Sequence, residues 1–78
     1  MNLKKYNDIF VTLFGLEESA LDDSFNFGAA QGWDSFAHME LIAQLEDAFD
    51  IMLETEDITH FGGYENGKKL LSKYGIEF

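Results

Sequence analysis

Apolar positions recur at helical spacing along three stretches of this chain. In the first, from Asn2 to Phe14, Leu3, Tyr6, Ile9, Phe10, Leu13 and Phe14 line one face, and Gly15 follows as a C-terminal cap. The second runs from Trp33 to Asp50. Gly32 permits a turn, and Asp34 or Ser35 caps the helix behind it. Advanced at about 100° per residue, His38, Leu41, Ile42, Leu45, Ala48 and Phe49 form an inward stripe. The third, Tyr64 to Tyr74, turns Leu70, Leu71 and Tyr74 inward and its lysines outward, and Gly75 ends it. Gly67 inside it costs up to about 1 kcal/mol against Ala, so this helix must lean on tertiary contacts.

Between these stretches the pattern changes. Thr55-Glu56-Asp57-Ile58 reads as a cap and a short helix ending near Phe61, before the Gly62-Gly63 break. From Leu16 to Gly32 no period is sustained, and Leu16, Leu21, Phe25 and Phe27 are spaced as anchors of a long ordered loop. The expected fold is all-α: a small four-helix bundle, three longer helices and one short, with a long loop between the first two helices. Residues 1–78 form a single domain, without internal repeats or a linker.

The outward face of the second stretch is not an ordinary solvated one. Phe36, Met39 and Ala43 lie there among Glu40, Glu46, Asp47 and Asp50. A soft apolar strip ringed by acids suits docking of basic partners. Composition sharpens this. The net charge of −10 argues against nucleic acid, whose phosphates it would repel. Lys4, Lys5, Lys68, Lys69 and Lys73 sit toward the two ends of the chain, which leaves the negative potential around Ser35. A hydrophobic content of 46% with eight Phe supports a real core, and zero Cys removes any disulfide or cysteine metal site. No apolar run is long enough to span a bilayer, and no secretory signal pattern opens the chain; a monomer in the cytoplasm is expected.

Asp34-Ser35-Phe36, Glu40-Leu41-Ile42, Leu45-Glu46-Asp47 and Phe49-Asp50, in register, resemble the signature helix of acyl carrier proteins. The resemblance is sharpest over Trp33 to Asp50 and looser across the rest. It implies that Ser35 carries a 4′-phosphopantetheine arm from coenzyme A, installed by a phosphopantetheinyl transferase (holo-ACP synthase). The arm's thiol would bear an acyl cargo as a thioester. A phosphate at Ser35 would also meet the free amides and the positive dipole end of a helix. By the same resemblance Asp34 helps hold the transferase and its metal ion. Asp34, Phe36, Met39, Glu40, Ala43, Glu46 and Asp47 would face partner enzymes with basic patches. Leu41, Ile42, Leu45 and Ile58 would line an acyl chain if the bundle shelters one; a filled core is the simpler reading of that stripe.

Trp33, Phe36, Ala37 and His38 depart from the pattern of bulk fatty-acid synthesis and look more like specialised stand-alone carriers of fatty-acid, polyketide, secondary-metabolite or cell-surface pathways. A peptidyl or aminoacyl carrier is the close alternative, usually with a less acidic recognition helix. An enzyme is not expected. Asp34, Ser35 and His38 invite a hydrolase reading, but there is no Gly-x-Ser-x-Gly elbow and no sheet to hold one. His38 falls on the inward face as a core-edge histidine, and His60 is expected at the surface. A non-carrier acidic interaction or calcium-binding module is the alternative from another class. Asp22, Ser24 and Asn26 alternate as in an EF-hand loop, but Phe27 and Trp33 occupy its glycine and bidentate glutamate positions.

Overall fold

The computed structural model describes residues 2–28 and 32–78, so Ala29, Ala30 and Gln31 of the long loop lie outside the described residues. Among them, the chain folds into helices α1 (Asn2–Phe14), α2 (Ser35–Phe49), α3 (Thr55–Thr59) and α4 (Tyr64–Ser72), with a 3₁₀ turn at Glu18–Ala20 in the long loop. This is the expected all-α bundle of three longer helices and one short one. One cap and two boundaries differ: Thr55 is the first residue of α3 rather than its cap, and Glu54 takes the N-cap position without a side-chain bond. α3 stops at Thr59 rather than near Phe61, and α4 stops at Ser72, with the amides of Lys73, Tyr74 and Gly75 closing tighter turns. Such end turns are a common way for a helix to satisfy its last carbonyls.

Local chemistry explains the helix ends. Gly15 (φ 63°) and Gly75 (φ 86°) take the left-handed conformation that stops α1 and the turn after α4. α2 ends on Asp50 in the same region (φ 53°), a conformation that a short polar side chain tolerates. Lys5 of α1 reaches the Ala48 carbonyl at 3.3 Å and lies over the Phe49 ring. A cation there meets the negative end of the α2 dipole.

The core joins Tyr6 and Phe10 of α1, Leu41, Ile42 and Leu45 of α2, Leu70 and Leu71 of α4, and Trp33, Leu53, Phe61, Tyr64 and Ile76. Leu21 and Phe25 pack against it from the long loop, which makes them anchors. That loop is also stitched to the start of α4. Asn26 and Gly63 form a single antiparallel bridge, Phe27 N–H donates to Gly62 O at 2.9 Å, and Tyr64 N–H donates to Phe25 O at 2.9 Å. A side chain at Gly63 would run into Asn26 and the Phe25 carbonyl.

The tertiary support that α4 needs is visible at Gly67. A Cβ there would overlap the Phe61 ring and the Tyr6 hydroxyl. The helix gives up about 1 kcal/mol of propensity and gains close approach to α1. Tyr6 donates its hydroxyl to the Tyr64 carbonyl at 2.7 Å. Burial, then the neighbouring Tyr64 and Glu65, push Tyr6 ionisation far above the ordinary phenol range.

Candidate functional site

Ser35 is the first residue of α2, and it is exposed. Asp34 is the N-cap in extended geometry, and its Oδ1 accepts the Ala37 N–H at 2.9 Å. The Asp34 carbonyl takes the His38 N–H at 2.8 Å. These bonds leave the amides of Ser35 and Phe36, which have no intrahelical acceptor at the first positions of a helix. The sequence left the cap open between Asp34 and Ser35. The structure assigns it to Asp34, so the Ser35 hydroxyl is not spent on capping.

The turn that presents Ser35 is fastened from below by Trp33, which is 2% exposed. Its ring lies 5.5 Å from Phe10, 5.3 Å from Phe14 and 5.2 Å from Phe25, centroid to centroid. Such aromatic pairs add to the burial of their surfaces. The indole N–H donates to His38 Nδ1 at 3.0 Å, and His38 Nε2 lies 2.9 Å from the Ile58 carbonyl. An indole only donates and a carbonyl only accepts, so the imidazole is the tautomer protonated on Nε2. His38 is thus the core-edge histidine its position suggested. It joins α2 to the loop before it and to α3. Phe27, half on the surface, packs over its ring at 4.7 Å.

The outward face of α2 follows its spacing. Phe36 is 87% exposed and Met39 57%; Glu40, Ala43 and Asp47 are exposed beside them. Glu46 is different. Half-buried, it accepts the Leu53 N–H at 2.9 Å and so holds the chain that leaves α2, a structural task that its helical position did not reveal. The three ion pairs among the described residues, Lys4–Asp8, Lys68–Glu65 and Lys73–Asp57, all lie away from this face. Leu41, Ile42 and Leu45 are buried in the core, and Ile58 is half-buried at its edge. His60 is exposed just after α3. No group of acids and histidines able to hold a metal ion occurs among the described residues, and Asp22 Oδ1 instead accepts the Ser24 N–H at 2.9 Å.

A cleft of about 440 Å³ opens between α3 and α4, lined by Glu56, Asp57, His60, Asn66, Lys69 and Lys73. None of these belongs to α2. On one wall Asp57 accepts from the Tyr74 hydroxyl and from Lys73 Nζ at 3.1 Å. The Tyr74 bond first, then Lys73, hold the Asp57 carboxyl below the usual carboxylate range; the same bond pushes Tyr74 up.

The site is thus an exposed serine that opens the second helix of a small helical bundle. The model of the phosphopantetheine attachment site family matches residues 7–65, more than half of the chain, and the chain belongs to that family. No curated protein and no solved structure matches it. Members are non-catalytic carriers of covalently attached 4′-phosphopantetheine and interact with a phosphopantetheinyl transferase and partner enzymes, so this protein is not an enzyme. No helix among the described residues is long and apolar enough to cross a membrane.

Proposed function

We propose that this protein is an acyl carrier whose arm is attached at Ser35 and whose α2 face is read by partner enzymes. The observation that carries the reading is an exposed serine at the first position of α2, inside the matched span, with its cap supplied by a neighbour. The donor set fits the group. Ser35 Oγ is the anchoring oxygen, and the amides of Ser35 and Phe36, with the positive end of the helix dipole, suit a phosphate held there. When bound, the arm supplies a terminal thiol that bears cargo as a thioester. The chain has no cysteine, so no thiol of its own competes.

Phe36 and Met39 offer apolar contact, while Glu40 and Asp47 steer basic partners and set register more than they add affinity. Glu46 and Asp34 contribute charge alongside their structural bonds, and Ala43 leaves room for a partner side chain. The acidity of this face favours an acyl over an aminoacyl or peptidyl carrier. The departures at Trp33, Phe36, Ala37 and His38 favour a specialised pathway. A monomeric state in the cytoplasm belongs to the same reading.

The test is intact mass before and after incubation with coenzyme A, magnesium and a promiscuous phosphopantetheinyl transferase, with Ser35→Ala alongside. The wild type should gain one phosphopantetheine and the variant none. No gain on folded, unmodified protein, with a cognate transferase as well, would defeat the reading.

A further inference from the structure

We propose that His38 seals the seam between α2 and α3, so that cargo stays outside the bundle and belongs to the short or polar acyl groups that water tolerates. This rests on the arm being attached at Ser35. His38, Leu41 and Leu45 share the inward stripe of α2, and His38 lies nearest Ser35, one turn along. An acyl chain tethered at Ser35 and entering along that stripe meets this ring first.

The ring is held on both sides. Toward α3 it donates to the Ile58 carbonyl, and toward the preceding loop it accepts from Trp33, with the Phe27 ring tilted against it at 4.7 Å. Swinging this ring out of the seam leaves a buried indole N–H without its partner, a larger loss than the bond itself contributes. Behind the ring the space is filled. Phe61, fully buried, lies 5.9 Å from His38 and 6.4 Å from Trp33, centroid to centroid. On the α4 side its ring already takes the place of a side chain at Gly67, against the helix backbone. A packed interior admits a chain only by expanding. Leu41, Ile42 and Leu45 are therefore core residues here, with Ile58 at the core's edge, and not a chain lining, and a long apolar cargo would be left in water.

The experiment compares methyl NMR spectra of chain labelled at Ile and Leu. Acetyl- and decanoyl-coenzyme A supply the two acyl forms through a transferase, and intact mass against Ser35→Ala confirms the site. The expected result is identical shifts for the Leu41, Ile42, Leu45 and Ile58 methyls in both forms. Shifts that depend on chain length overturn the proposal. His38→Ala, folded by its dispersed α4 amide signals, should acquire them in the decanoyl form; a folded variant that does not would remove His38 from the explanation. Ser35→Cys carrying methyl or decyl disulfides needs no transferase. A missing mass gain therefore counts against attachment at Ser35, while the disulfide pair still decides whether the bundle is sealed.

Discussion

At the start of α2, the turn bearing Ser35 is held by aromatic rings, an indole–imidazole bond and the Asp34 cap; on the far side of α3, the fastening to the turn after α4 is a carboxylate shared by a phenol and an ammonium. α3 belongs to both regions. Its Ile58 carbonyl is gripped by His38, and its Asp57 by Tyr74 and Lys73. The two attachments answer to different variables. Aromatic burial is indifferent to salt and costly to remove, whereas an ion pair at the surface, its Lys73 in water and its Asp57 half-buried, contributes less and is screened. The presenting turn is therefore the rigid partner, and the α3–α4 side is the one that solution conditions can loosen.

The sharpest break of this contrast is Trp33→Ala. Removing a fully packed aromatic costs about 3–5 kcal/mol, a large part of the roughly 5–15 kcal/mol that stabilises a small domain. Urea unfolding followed by circular dichroism should place the midpoint far below the wild type; a small shift would mean that the cluster does not hold the turn. Asp34→Ala probes the same turn more gently. Loss of the N-cap costs about 1 kcal/mol, and hydrogen exchange at the Ala37 amide should accelerate first. Unchanged exchange there would show that the cap is not in use.

The smallest effect is expected at the ionic end, from Asp57→Asn. Asp57 is held below the ordinary carboxylate range in the folded protein. Its contribution is therefore present above that range and is lost as pH falls through its own lowered value. Tyr74 and Lys73 are both raised, Tyr74 first by its bond to Asp57 and Lys73 likewise. Their contribution is present below their ordinary values and is lost as pH rises through the raised ones. Melting temperatures should show a modest gap between wild type and variant at neutral pH, narrowing in strong acid and in high salt. A gap unmoved by salt would contradict the contrast.

Most of the helical frame was legible in the chain. Periodicity placed α1 and α2, Gly15 marked the end of α1 and Gly32 the turn before α2, and His38 fell on the inward face as its register required. The turn that presents Ser35 was legible through Asp34-Ser35 and the helix behind it. What makes that turn firm was not. Trp33 reads as a departure from a pattern, and its partners Phe10 and Phe61 lie far away in sequence. The reason for Gly67 was hidden in the same way, since propensity shows its cost but not the ring it admits. The hydrogen bonds of Glu46 and Tyr74 were hidden for a related cause. A carboxylate on an outward helix face looks solvated until the returning chain brings an amide to it, and a tyrosine after a helix shows nothing of an aspartate on another.

Trp33 is the one tryptophan of the chain, and it lies two positions before Ser35. Its indole is buried, stacked and hydrogen-bonded to the histidine that spans to α3. The protein's intrinsic fluorescence therefore comes with an address. Emission colour, lifetime and quenching report on the turn that presents Ser35, against a background of tyrosines elsewhere. Loosening of α3, and any event at the start of α2, can be looked for in the unlabelled protein at a single optical site that the fold places there.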